Sequence, residues 1–226
     1  MNYLAYGMPM TKRGLKHSAS KKEEPVPKLA LSHGQAIWLM DQLGLRHDVS
    51  ESTFNHYVKS LRRLGVPFDQ GKGQSEGRHP VTYDFEDLME LTIALLLRVY
   101  GTLPDTIVTG LRQFRVELRP IYRQGYLDSL NRIYPPARLS ERGGDSITAS
   151  GVFLDLNIRY SVRQTVEFGP PKLLSPFEAL RSYALSECPA TSYLPLNISA
   201  VARMIVAGAR SVPSVRPGRR RSNTVA

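Results

Sequence analysis

Val49-Ser50-Glu51-Ser52-Thr53-Phe54-Asn55-His56-Tyr57-Val58-Lys59-Ser60-Leu61-Arg62-Arg63-Leu64-Gly65 is the stretch on which the fold turns. Phe54, Tyr57, Val58, Leu61 and Leu64 recur at intervals of three and four, which puts them on one buried face of a helix. Ser50 is a suitable N-cap, because its hydroxyl can accept a first-turn N–H that has no partner inside the helix. Glu51 follows where a negative charge suits the helix dipole. Gly65 closes the helix, as the residue type that enters left-handed backbone at least cost. The other face carries Ser52, Thr53, Asn55, His56, Lys59, Arg62 and Arg63, and its acid, Glu51, sits at the N-terminus. Amides and hydroxyls that meet base edges, with cations that meet phosphates, are what a DNA-reading helix requires.

Working outward, residues 32–43 predict a preceding helix, with Ala36, Ile37, Leu39, Met40 and Leu43 as its stripe, Ser32 as cap and Gly44 as stop. Residues 45–49 form the connector, and the pair reads as a helix-turn-helix. Downstream, residues 66–68 and 81–83 read as the two arms of a small hairpin. Between them, residues 69–80 carry three glycines and the cations Lys72 and Arg78. Asp84 and Asp87 predict a capping pair for the next helix, a weaker form of the Ser/Thr–Glu box. This order, two helices, a basic loop and a third helix, is that of a winged helix-turn-helix, which fits DNA grooves.

Val49 to Tyr57 in the quoted stretch resembles the recognition-helix start of the MerR family of bacterial regulators. Gly77-Arg78, Tyr83 and Glu86-Asp87-Leu88 through Leu91 resemble that family's wing and third helix, and Gly101-Thr102-Leu103-Pro104 with Ile107 and Leu111 resembles the turn into its fourth. The similarity spans residues 30–115. It implies that Thr53, Asn55, His56 and Tyr57 face DNA and that Arg78 grips a phosphate. Asn55 stands where the family usually has Arg, and both the helix after Tyr57 and the wing tip run longer. In the resembled family the segment after the fourth helix pairs two subunits, a role that would fall here on residues 118–133; the alternative is packing within one chain.

The chain has 226 residues and a net charge of +10, but the excess is confined to its ends. Residues 1–28 carry +4, residues 200–226 carry +6, and residues 29–199 balance. Residues 52–83 hold five Lys or Arg against two acids, whereas residues 84–90 hold four acids. This predicts a positive face on the second helix and wing, backed by a negative patch; the alternative is an ordinary solvated surface. The lone cysteine, Cys188, rules out a disulfide within the chain and suits a reducing compartment. The longest apolar run, residues 93–97, is too short to span a membrane.

Residues 85–100 predict a helix apolar on more than one face, hence central. Residues 105–118 predict another, with Arg112, Arg115 and Arg119 on its polar side, ended or kinked by Pro120, and residues 121–133 continue. Residues 152–162 alternate apolar and polar, which predicts one eleven-residue strand with residues 165–168 as hairpin partner. Ser175 and Glu178 predict a capping box for a helix over 176–186, and residues 199–209 a final helix; the two can cover the hairpin.

The expected fold is mainly α with a small β component. Residues 1–28 read as a disordered basic arm, 29–134 as the MerR-like winged helix-turn-helix with a helical extension, and 135–150 as a linker. Residues 151–210 read as a small α+β part for dimerisation or partner binding, and 211–226 as a disordered Arg-rich tail. No phosphate-binding loop, dinucleotide fingerprint or zinc-protease motif is present, and the five histidines lack carboxylates at ligand spacing. Asp155 and Glu167 are an unconvincing catalytic pair, Trp38 is read as core, and neither enzyme activity nor a metal or other cofactor is expected. The sequence therefore reads as a cytoplasmic DNA-binding transcription regulator of bacterial or phage type. Its partners are double-stranded DNA, a second copy of the chain, and a protein docking on the C-terminal part. Direct readers would be Thr53, Asn55, His56 and Lys59, flanked by Ser52. Phosphate contacts would be Tyr57, Arg62, Arg63, Lys72 and Arg78. Rival readings are a phage or mobile-element protein for excision, replication or packaging, and a protein–protein adaptor that keeps the helix-turn-helix shape.

Overall fold

The computed structural model describes residues 26–68, 81–99, 104–131, 151–160, 166–184 and 195–214. Among them the chain is mainly helical with three small sheets. The basic loop tip at 69–80, with Lys72 and Arg78, lies outside the described residues, as do residues 1–25, the linker at 135–150 and residues 215–226.

Strand β1 (Leu31–Ser32) leads into α1 (His33–Gln42), and α2 (Glu51–Leu64) follows. Local chemistry sets these ends. Ser32 caps α1 in a reciprocal box with Gln35, and Ser50 caps α2 by accepting from Thr53 N at 3.2 Å. Both helices close the same way. Gly44 and Gly65 take positive φ (75° and 103°), so Leu45 N reaches Met40 O at 3.1 Å and Val66 N reaches Leu61 O at 2.9 Å.

The segment after α2 departs from expectation. Residues 66–68 form no strand; Val66 is buried and its N–H is used in closing α2, while Pro67 has no N–H to offer. Strand β2 (Thr82–Tyr83) pairs instead with β1, antiparallel, Leu31 opposite Tyr83 and Ser32 opposite Thr82. Phe68 still meets the downstream arm, edge-on to Tyr83 at 4.9 Å between centroids.

Helix α3 (Phe85–Val99) is buried from Phe85 through Leu95 and again at Leu97. Asp84 and Asp87 start it as a reciprocal cap (Asp87 N to Asp84 Oδ1 2.8 Å, Asp84 N to Asp87 Oδ2 3.2 Å). The next stretch forms α4 (Pro104–Gln113) and α5 (Arg115–Asn131), so the break comes at Phe114 and Pro120 lies inside α5. Pro120 is tolerated there because the carbonyl it cannot satisfy belongs to Val116, which is 81% exposed.

The alternating run at 152–162 is two strands, not one. Strand β3 (Phe153–Asp155) pairs with β6 (Lys172–Leu174) and β7 (Leu196–Asn197), whereas β4 (Ile158–Tyr160) pairs with β5 (Val166–Phe168). Asn157 breaks the run: it takes φ 47°, and its N–H donates to Asp155 Oδ1 at 2.7 Å. Such local side-chain bonds let Asp and Asn divert a backbone from a ladder. The expected hairpin holds as β4–β5, with Ile158 opposite Phe168. Ser175 and Glu178 cap α6 (Pro176–Ala184) in the expected box.

The last helix, α7 (Ile198–Arg210), packs along α5 and also meets α3 and α1. Gly208 leaves no room for a side chain beside Leu39, and Gly110 of α4 lies against the Phe168 ring. One continuous apolar core therefore runs from Leu31 to Ile205, with Trp38 packed against it. Leu118 and Tyr122, expected to help pair two subunits, are fully buried within the single chain. Among the described residues no helix is long and apolar enough to cross a membrane.

Candidate nucleic-acid interface

Helix α2 presents two faces because its apolar residues recur at helical spacing. Phe54, Val58 and Leu61 are buried. Ser52, His56, Lys59 and Arg63 are exposed, and their spacing of four, three and four aligns them as one stripe opposite the buried one. Asn55 and Arg62 flank the stripe on one side and Thr53 and Tyr57 on the other, all half-buried. The structure thus brings eight of the ten expected site residues onto one helix, and the other two, Lys72 and Arg78, fall outside the described residues.

Several of those side chains are already engaged. The Ser52 and Thr53 hydroxyls lie 3.0 and 2.9 Å from Ser50 Oγ, within the cap. The Tyr57 ring lies beneath the Arg98 guanidinium, 3.4 Å from its centroid, so α3 contributes a cation beside α2.

The field around α2 registers at His33, which sequence reasoning left out of the site. Burial first, and then the cations Arg62 and Lys59, lower its pKa to about 4. His33 shares a 2.9 Å hydrogen bond with the Tyr83 hydroxyl, whose pKa burial raises to about 12. At neutral pH both are uncharged, so the charges on this side of α2 come from Lys59 and Arg62. The imidazole was not legible as a neighbour because only the β1–β2 pairing brings α1 beside Tyr83.

The C-terminus of α2 is held from a distance. Arg112 donates to Leu64 O at 3.4 Å and Arg115 to Gly65 O at 2.6 Å. Cations at a helix C-terminus also suit its dipole.

Of the four acids in the expected negative patch behind this face, Asp84 is exposed and the other three are buried. Glu86, Asp87 and Glu90 are 7%, 8% and 2% exposed. Glu90 takes both Nε and Nη2 of Arg115 (2.9 and 2.6 Å), and Glu86 takes Arg119 and Arg123 (3.3 and 2.5 Å). Arg115 thus turns inward to meet α3, while Arg119 and Arg123 reach Glu86 from partly exposed positions, because a carboxylate buried in low dielectric demands a cationic partner.

The carboxylates considered for catalysis are not brought into one sheet: Asp155 belongs to β3 and Glu167 to β5. Among the described residues no cluster of His, Cys, Asp and Glu is placed to hold a metal ion. No protein-family model matches the sequence, and no characterised protein matches it.

Proposed function

We propose that this chain is a sequence-specific DNA-binding transcription regulator, with α2 in the major groove and the loop at 69–80 on the flanking backbone. The observation that carries the reading is the exposed Ser52–His56–Lys59–Arg63 stripe on a helix capped at both ends, opposite a fully apolar face. A rigid helix with polar groups at one azimuth can meet successive base edges, while cations at its margin meet phosphates. The resemblance of residues 30–115 to MerR-type regulators supports the same assignment, as does the pairing of β1 with β2, which holds α1 against the strand that follows the loop at 69–80. In this reading His56 and Lys59 contact bases directly, with Ser52, Thr53 and Asn55 beside them. Arg62, Arg63, Lys72 and Arg78 contact phosphates. Tyr57 joins them through its hydroxyl, its ring held by Arg98. The protein acts where DNA is, in the bacterial cytoplasm, as a homodimer.

The test is selection of the full-length chain on a random duplex library at near-physiological salt. Enrichment of a short motif is expected, and inverted half-sites would mark the dimer. Positions of that motif at promoters fit transcription control, whereas positions at integration or packaging loci fit the mobile-element function. Retention of all sequences alike would remove α2 as a reader and turn its exposed face toward a protein partner.

A further inference from the structure

A cleft of about 540 Å³ opens where α4 meets α5, lined by Thr109, Arg112, Gln113, Arg115, Val116 and Arg119. That is the size range of small-molecule sites. Its lining holds three guanidinium groups and no carboxylate. Arg115 is a fixed wall: its side chain is 9% exposed and clamped by Glu90. Arg119 is 43% exposed and held 3.3 Å from Glu86. Arg112 is exposed, with Nη1 on Leu64 O at 3.4 Å. Gln113 adds an exposed amide, and Val116, 81% exposed, adds an apolar surface.

Guanidinium groups recognise phosphoryl oxygens through paired N–H donors, and fixing them in advance lowers the entropic cost of binding. The volume exceeds what a bare phosphate needs, and Val116 offers contact to an organic group. We propose that the α4–α5 cleft binds a small organic phosphate, its phosphoryl group held between Arg112 and Arg119 with Arg115 behind. The same Arg112 and Arg115 hold the last carbonyls of α2. Occupancy of the cleft therefore acts on the C-terminal turn of α2. The binding claim does not depend on α2 reading DNA.

Calorimetric titration of the full-length chain with phenyl phosphate, against sodium chloride of equal ionic strength, tests it. Saturable binding at one site is expected, weakened ten-fold or more by Arg112→Gln and by Arg119→Gln and unchanged by Arg46→Gln, whose side chain pairs with Asp41 elsewhere on the surface. Circular dichroism confirms that each variant is folded, and Arg112 is exposed enough for its variant to keep the fold. In amide NMR spectra, Gly65 and Val66 shift together with Gln113 and Val116. Binding indistinguishable from the chloride control, or undiminished in both cleft variants, would overturn the proposal. Displacement of phenyl phosphate by a random-sequence duplex would overturn its small-molecule form and assign the cleft to a DNA phosphate. Unmoved Gly65 and Val66 resonances would sever its link to α2.

Discussion

Helix α2 and helix α5 both carry cations at helical spacing, Lys59 and Arg63 on the one and Arg115, Arg119 and Arg123 on the other, and the two put them to different uses. On α2, Lys59 and Arg63 point into solvent. On α5, Arg115 is 8% exposed and, with Arg119 and Arg123, faces the acids of α3. The pKa shifts follow the same division. Burial, then the cations of α2, push His33 down to about 4; burial, then Asp84, push Asp87 up to about 7. A basic helical stripe is thus left wholly to solvent only where no buried carboxylate claims it.

The sharpest way to break the comparison is to remove one partner inside. Glu90→Gln leaves Arg115 buried beside a neutral amide, and loss of a buried partner costs about 3–5 kcal/mol. Denaturant unfolding should show that loss, while the same measurement on exposed Lys59→Ala should change by less than about 0.5 kcal/mol. Equal effects would mean that the two stripes are not different in kind.

The converse experiment acts on binding. Lys59→Ala or His56→Ala should lose on the order of 1–3 kcal/mol at one base position of the selected motif, and Arg63→Ala should weaken all sequences alike and flatten the salt dependence. Binding assays across single-base variants of the motif separate the two patterns. A uniform loss for Lys59→Ala would move it from reader to phosphate contact.

Smaller effects sit at the ends of α2. Ser50→Ala removes an acceptor for Thr53 N and should cost about 1 kcal/mol of stability. Gly65→Ala must hold φ near 103° with Arg112 Cδ 3.1 Å from the added methyl, and should cost about 1–2 kcal/mol. Thermal unfolding resolves both.

The least conspicuous prediction concerns pH. Asp87 binds a proton more tightly folded than unfolded, where its pKa is 3.8, so its contribution falls as pH rises from about 4 to about 7. His33 binds its proton less tightly folded than unfolded, so its contribution rises from about pH 4 to its unfolded 6.5. The two slopes oppose each other. Asp87→Asn should therefore unmask stability that rises with pH over this window, and His33→Asn stability that falls. Unfolding free energies measured from pH 4 to 7 check both signs.

Much of this was legible beforehand. The caps at Ser32, Ser50 and Ser175, the stops at Gly44 and Gly65, and the apolar faces of α2 and α3 follow from residues within one or two turns of each other. Other features depended on distant partners. Alternation alone predicts one strand at 152–162, yet Asn157 sends β3 and β4 to different sheets. Proline rules favour a break at Pro120, yet the break falls at Phe114 and Arg115 turns back to Glu90 and to the carbonyl of Gly65. His33 entered the site only through its contact with Tyr83, fifty residues away.

The sequence by itself determined where α1, α2, α3 and α6 begin and where α1 and α2 end, and that α2 has a polar face with cations on it, because caps, glycine stops and helical periodicity act over a few residues. The tertiary structure alone decided which charged stripes stay in water, that α7 closes the same core as α1 and α3, and that two arginines of the α4–α5 junction hold the end of α2. Those outcomes depend on which buried carboxylate or carbonyl the folded chain brings within reach, and no local pattern encodes that distance.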